Sequence, residues 1–257
     1  MNVARTLIAA ALITTGSAAF AQAIINQASA QAGNVTPGDA AGFPITISQP
    51  GSYKLTTNLF VPANTDGVVI TAANVTLDLN GFSIVGPGTC SQNSSTLLVS
   101  CTLISNNNLP GDGIKTGVES VIKNGTIKGF AKNGVSAGGG GELLERLTVA
   151  QNAQNGILQL ASTGGLRIVD SFATMNIYSG AALKDSVVSG SRFMSNGQVG
   201  LAGDETTLVL DSLAKSNRDA GFVRATLSRT LSHSNAQNVL NVVPLGANMN
   251  KNQTTTY

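Results

Sequence analysis

The sequence predicts an all-β protein, a right-handed parallel β-helix of about seven to eight coils with an N-terminal cap. Three observations predict it. Asn, three variable residues, Gly and an apolar residue recur along the chain, with Asn-to-Asn steps of 24, 20, 21 and 18 residues. Aligning the copies brings apolar residues into three separate columns, so each coil offers three short apolar touches divided by polar turns. The composition fits turn-dense β structure, with 29 Gly and 24 Asn in 257 residues and only 11% charged residues.

The elements follow in chain order. Residues 1–23 read as a secretory signal peptide, with Arg5 as the positive end, Leu7 to Ile13 as the apolar run and Ala21-Gln22-Ala23 as the cleavage site. Cleavage at Ala19-Phe20-Ala21 fits nearly as well. The apolar run is well short of the roughly 20 residues that span a bilayer, so no membrane span is expected after cleavage. The expected location is therefore secreted or periplasmic. Residues 24–42 read as a loose polar segment, and residues 43–247 as the β-helix domain. Within it, residues 43–62 alternate as strands that cap the first coil, because an open solenoid end is an unpaired β edge. Gly67 to Ile70 and Val75 to Phe82 read as an early coil, and residues 86–112 as a loop insertion. Cys90 and Cys101 bracket a Ser/Thr-rich stretch there, and in an oxidising compartment the pair becomes a disulfide that pins the loop. Residues 248–257 read as a polar tail.

The repeat begins near residue 113. Asn152 precedes Gly156-Ile157, Asn176 precedes Gly180-Ala181, Asn196 precedes Gly200-Leu201, and Asn217 precedes Gly221-Phe222. Phe130 takes the Asn place before Gly134-Val135, and Asn235 precedes Val239-Leu240. Eight residues before each stand Ile122, Leu144, Ile168, Val188, Val209 and Leu227. Three before stand Ile127, Val149, Ala173, Phe193, Ala214 and Ser232, and five after stand Val135, Ile157, Ala181, Leu201, Phe222 and Leu240. Asn tolerates the left-handed conformation of a tight bend, and stacked amides hydrogen-bond from coil to coil. The sequence thus predicts a structural ladder of Asn152, Asn176, Asn196, Asn217 and Asn235.

The run Gly51-Ser52-Tyr53-Lys54-Leu55, the run Val75 to Phe82 and the Asn-x-x-x-Gly coils together resemble secreted bacterial β-helix proteins of the pectate-lyase-like superfamily. The resemblance covers roughly residues 43–245 and implies the fold. Members include polysaccharide lyases, hydrolases, epimerases, tailspikes and adhesins, so no catalytic subfamily is implied.

Net charge of +2 excludes the concentrated basic field of a nucleic-acid binder. Two Cys and one His exclude a multi-Cys metal site and a two-His mechanism, and no metal or cofactor is expected. Asn64-Thr65-Asp66-Gly67 resembles the Asn-Thr-Asp segment of polygalacturonases, yet that family's Asp-Asp pair, Gly-His-Gly and Arg-Ile-Lys are missing. Glycoside hydrolysis needs two carboxyls facing one groove, so the motif reads as a polar turn entering a strand. Two residues before the column Asn come Lys128, Ala150, Thr174, Met194, Lys215 and His233, which makes Lys215 and His233 neighbours. With Arg192 and Tyr178 they are the candidate glycan-facing residues; no catalytic residue is assigned. Six before the Asn come Asn124, Arg146, Asp170, Gly190, Asp211 and Arg229, read as charge pairing of Arg146 with Asp170 and of Asp211 with Arg229. The functional expectation is a non-catalytic surface or periplasmic protein that binds a polysaccharide or cell-envelope component. The alternatives are a lyase-like or epimerase-like enzyme on an acidic polysaccharide, and a structural or adhesive element.

Overall fold

A computed structural model describes residues 22–102, 111–159 and 165–250. The signal-peptide expectation falls almost wholly outside them, as does the tail beyond residue 250. The chain winds as a parallel β-solenoid. A 17-stranded sheet and a nine-stranded sheet are built from parallel pairings, and a separate two-stranded antiparallel pair stands apart.

Each coil contributes to three columns of strands. The first column includes Gly51–Leu55, Val75–Asp78, Arg167–Val169, Val187–Ser189, Leu208–Leu210 and Thr226–Ser228. The second includes Leu59–Phe60, Ser83–Val85, Phe172–Thr174, Arg192–Met194, Leu213–Lys215 and Leu231–His233. Val121–Lys128 and Leu143–Ala150 are long enough to serve both columns, and these two columns make the larger sheet. The third column, from Ile45–Ile47 to Gln237–Leu240, is the nine-stranded sheet. The apolar columns at eight and three residues before the Asn are buried throughout, Ile122 to Leu227 and Ile127 to Ser232. They form one continuous core with Val135, Ile157, Ala181, Leu201 and Phe222. Burial that runs only between stacked neighbours makes cohesion nearest-neighbour in character.

The structure has about nine coils, more than the seven or eight expected. The difference lies in residues 43–62, which form a full coil and not a cap. Ile45–Ile47 pairs in register with Val68–Ile70, Gly51–Leu55 with Val75–Asp78, and Leu59–Phe60 with Ser83–Val85. The covering of the N-terminal end falls to the segment expected to be loose. Ala23–Ile25 pairs with Tyr53 to Leu55. The short helix Gln27–Ala32 follows, held by a reciprocal cap between Asn26 and Ser29. Ile25 and Ala30 are buried, so this polar-looking stretch spends its few apolar residues on the open end of the core.

At the other end, Met249–Asn250 pairs with Leu231 and Ser232, so the first residues of the expected tail belong to the solenoid. The last alignment also shifts by one. Phe222 pairs with Val239, and Leu240 pairs with Val223 and is exposed. The turn after Asn235 is one residue shorter than in earlier coils, and Asn238 stands where the others have Gly.

The loop insertion leaves the solenoid along its side. Gly86 and Gly88 donate to the carbonyls of Lys128 and Gly129 in the next coil. A Cβ at Gly86 would strike the Gly129 carbonyl oxygen, so the crossing requires glycine. A hairpin of Cys90–Gln92 with Val99–Cys101 follows, closed by the expected Cys90–Cys101 disulfide.

Candidate functional site

Three corners separate the columns, and their polar interiors decide which recurring residues are structural. Asn152, Asn176, Asn196 and Asn217 are completely buried, and Asn235 nearly so. Each of the first four donates its Nδ2 to the Oδ1 of the next, at 2.9, 3.0, 3.0 and 3.0 Å. Their backbone N–H groups donate to the same oxygens. The second Nδ2 proton of Asn176, Asn196 and Asn217 goes to a strand carbonyl of the preceding coil. The side chains face inward, and the left-handed bend belongs to the residue before: Gln151, Met175, Ser195, Ser216 and Ser234 all have φ between 53° and 57°. The expectation that Asn itself takes the bend is corrected accordingly. The Gly column has its reason here too. A Cβ at Gly156 would lie 2.7 Å from the Asn176 Nδ2, and one at Gly200 would lie 2.8 Å from that of Asn217. Asn of one coil and Gly of the coil before it are therefore one device.

The same corner carries a second ladder that the Asn spacing did not reveal. Its signal in the sequence is the residue before each Gly: Asp66, Asp112, Asn133, Asn155 and Ser179. Asp66 Oδ1 accepts from the N–H of Gly111 and Asp112, Asp112 Oδ1 accepts from Asn133, and Asn133 Oδ1 accepts from Asn155. Lys115 Nζ lies 2.7 Å from Asp66 and 3.7 Å from Asp112. Burial raises the Asp66 carboxyl. The Lys115 hydrogen bond, the two backbone donors and the Lys115 charge outweigh that, leaving its pKa below the ordinary value. Lys115 is shifted upward: burial lowers it, and its two carboxylate partners more than compensate. Asp66 is thus spent on the corner.

The bend between the first and second columns is the one expected to pair charges. Asn124, Arg146, Asp170, Asp211 and Arg229 there have φ between 49° and 60°, so it is also a row of left-handed residues. Arg229 grips Asp211 with two hydrogen bonds of 2.6 and 2.7 Å. Arg146 does not pair with Asp170; its Nε donates to Asn124 Oδ1 and its Nη1 to Glu145. Gly190, the coil neighbour of Asp170, leaves the space into which the Asp170 carboxylate turns. Asp204, of the acidic doublet, accepts from Thr206, Thr207 and the Asp185 N–H, so it fastens a turn.

What remains for chemistry is the outer face of the second column. Lys128, Ala150, Thr174, Met194, Lys215 and His233 are aligned strand to strand, as expected. Phe193, Ala214 and Ser232 point into the core, so their neighbours on either side point out. Arg192, Lys215 and His233 therefore share one outer face on three successive coils. Lys128 is four coils from Lys215, roughly 19 Å along the axis. Tyr178 is not on this face; it stands exposed on the corner that follows. Among the described residues, the outward positions of this column carry no Asp or Glu.

The disulfide hairpin runs along this face. Gln151 Nε2 donates to the Cys90 carbonyl, and Gln92 Nε2 donates to the Ser216 carbonyl. The hairpin thus bridges corners three coils apart, next to Lys215. Ala150 and Thr174 face outward by alternation yet are only 8% exposed, and the hairpin's own Val99 and Cys90 are buried. Sequence reasoning placed this loop on the surface. It had no means of giving its direction, because nothing in the sequence sets Gln151, at a bend, and Gln92, in the hairpin strand, apart from other surface glutamines.

Comparison with known proteins agrees with this architecture. The model of the family described as "Right handed beta helix region" matches residues 64–212, more than half of the chain. No curated protein matches the chain in sequence. Among solved structures, the pectate lyase Pel9A is similar with a TM-score of 0.48 at 13% identity, over 76% of this chain and 58% of that one. A periplasmic alginate epimerase, AlgG, gives 0.43 at 13% identity, over 80% and 70% of the two chains. The enzymatically active domain of tailspike protein 2 of Bacteriophage CBA120 gives 0.41 at 11% identity, over 79% and 42%. This chain therefore spans little more than half the length of the pectate lyase. Its parallel coils, three strand columns and matched family model make it a member of the right-handed β-helix family.

Proposed function

We propose that this is an exported, non-catalytic protein that binds an acidic glycan or another anionic envelope polymer along the outer face of the second column. The observation that carries the reading is the placement of Arg192, Lys215 and His233 on one face of three successive coils, past the stretch of that face which the disulfide hairpin covers. Stacked coils repeat at about 4.8 Å, a short pitch that lays a row of donors along an extended chain. Cations spaced along a strip suit a polymer with a repeating negative charge, and such contacts govern selectivity and encounter more than tightness. The disulfide hairpin closes one end of the strip beside Lys215, and Tyr178 on the adjoining corner offers a ring to a sugar face.

Hydrolysis by paired carboxylates has no support from this face, whose described outward positions hold none. A lyase or epimerase remains the informative competitor, since Lys215 beside His233 is a cation next to a base. Export fits the disulfide and the leader-like first residues, and among the described residues no helix is long and apolar enough to cross a membrane.

The test is binding to polygalacturonate, alginate and hyaluronan against neutral dextran, read by calorimetry with ultraviolet absorbance followed in parallel. Binding to the acidic polymers should weaken with salt, and the triple variant Arg192→Ala/Lys215→Ala/His233→Ala should lose roughly tenfold in affinity, as expected for two cations and a ring donor removed from the face. Equal binding to dextran would sink the proposal. Unsaturated product that disappears in Lys215→Ala would replace it with a lyase.

A further inference from the structure

The cationic strip of the second column is stopped at one end. Met194, Lys215 and His233 stand in register on successive coils, with Arg192 two residues from Met194 on the same outer face. In the direction of the earlier coils the next two rows are Thr174 and Ala150, again in register. Both face outward and both are nearly buried, beneath a hairpin whose own Cys90 and Val99 are buried. That hairpin is tied down at several points. Its disulfide closes it, and Gln151 Nε2 of the solenoid donates to its Cys90 carbonyl. Gln92 Nε2 donates both to the Leu97 carbonyl of the hairpin's own turn and to the Ser216 carbonyl next to Lys215. Behind the hairpin the face changes character. Lys128 is followed there by Val85 and Phe60, the last 62% exposed, so the run of cations is not continued.

We infer that the strip seats the end of an acidic glycan chain and not an internal stretch of it. The inference rests on the cationic-strip reading proposed above and adds which part of the polymer is recognised. A polysaccharide laid in an open groove slides through in either direction, whereas one that meets a wall must present a terminus. The rows of Met194, Lys215 and His233, repeating at about 4.8 Å, give roughly 14 Å of face in front of the wall, room for a short terminal oligosaccharide. The terminal ring abuts the hairpin over Met194, whose flexible thioether adapts to an irregular surface. Carboxylates of the first rings then lie beside Arg192 and Lys215, and the rest of the polymer runs on past His233. A site that engages one end gains nothing from repeats farther along, so affinity belongs to each chain and not to its length.

Calorimetry of the purified, disulfide-intact protein with size-fractionated polygalacturonate and alginate tests this. Every glycan chain, short or long, should bind one protein, because the two ends of a polysaccharide differ chemically, and affinity per chain should not rise with length. Lys215→Ala should weaken that binding roughly two- to fivefold, the effect of one exposed charge pair, while Lys128→Ala, behind the wall, should leave it unchanged. A number of bound proteins that climbs with glycan length overturns the end assignment and leaves the cationic strip standing. So does a loss in Lys128→Ala equal to that in Lys215→Ala. Absence of binding at every length removes the cationic strip itself, and this inference with it.

Discussion

Two columns recur once per coil in this chain and do opposite work. The Asn column lies inside a corner, completely buried along most of its length, with every amide group engaged. The column six residues earlier lies outside a bend, and its one bidentate pair, Asp211 with Arg229, is exposed to solvent. Both are periodic, and both are composed of polar residues. The difference is water. Inside, each unpaired amide would lose its hydration without replacement, so the ladder dictates where the next coil sits. Outside, the same groups exchange protein partners for solvent at little cost, so side chains there are free to vary from Arg to Asp to Gly.

The largest effect should come from breaking the inner column. Asn217→Ala removes the acceptor of two groups of Asn196 and the donor to Phe193 and Asn235. It should cost about 3 kcal/mol, a fall of roughly 6–12 °C in melting temperature for a chain of this size. Asp211→Asn, which keeps a residue type suited to the left-handed bend, should leave the melting curve where it is, although Arg229 has a raised pKa through the Asp211 hydrogen bond and charge. Equal melting temperatures for the two variants would erase the distinction.

A smaller effect tests whether the buried rule extends to acids. Asp66 has a folded pKa below its unfolded one, so its contribution is present above the unfolded value and is lost as pH falls through the folded value. Lys115, shifted upward, contributes below its unfolded value and loses that contribution only as pH rises through the folded one. The bridge is therefore intact at neutral pH and fails first in acid. Asp66→Asn should lower stability at pH 7 by about 1–2 kcal/mol and flatten the decline below about pH 4. A variant whose acid limb matches the parent's would show that other carboxylates govern it.

The same contrast explains how much the sequence disclosed. Inward columns were legible because the core accepts only apolar residues at fixed spacing: Val188, Phe193 and Leu201 fall where the alignment puts them. The ladder was legible because one residue type fits it. The coil of residues 43–62 was missed because it lacks an Asn-x-x-x-Gly copy, though Ile45, Ile47 and Leu59 are buried as in any coil. The slip at Leu240 arose because the last turn is short by one residue, and period-two alternation converts one residue into the opposite face. The outer face was legible as a list of residues but not as a site. Lys215 beside His233 follows from register, whereas the hairpin laid along them depends on two glutamine contacts from far away in sequence.

The hairpin gives the next prediction. Cys90→Ser/Cys101→Ser removes a link within an outer hairpin that touches the stacked coils through two glutamine hydrogen bonds and pairs with none of their strands. The solenoid's melting temperature should move by no more than a few degrees, while amide exchange at Ala150 and Thr174 and in the hairpin itself rises at least tenfold. Unchanged exchange would show that Gln151 and Gln92 fasten the hairpin unaided. Collapse of the whole fold would place the disulfide among the inner, register-setting elements after all.

The mildest expected difference lies at the first strand, where inside and outside meet. Ala23 pairs with Tyr53, and Gln22 Nε2 donates to Ser52 Oγ at 3.1 Å. A leader cut after Ala23 would delete both contacts and begin the chain at exposed Ile24, leaving a shortened edge beside Ile25. A cut after Ala21 keeps the strand whole. Intact-mass measurement of the chain recovered from a secreting host distinguishes the two starts, a Gln22 terminus being the one that keeps the first strand whole. Chains engineered to begin at Gln22 and at Ile24 should differ in melting temperature by only a few degrees, because the lost Ala23 is a small side chain at the margin of the core while the larger, fully buried Ile25 is retained in both. An unambiguous Ile24 terminus would mean that export is read from the leader alone and that the first strand tolerates the loss.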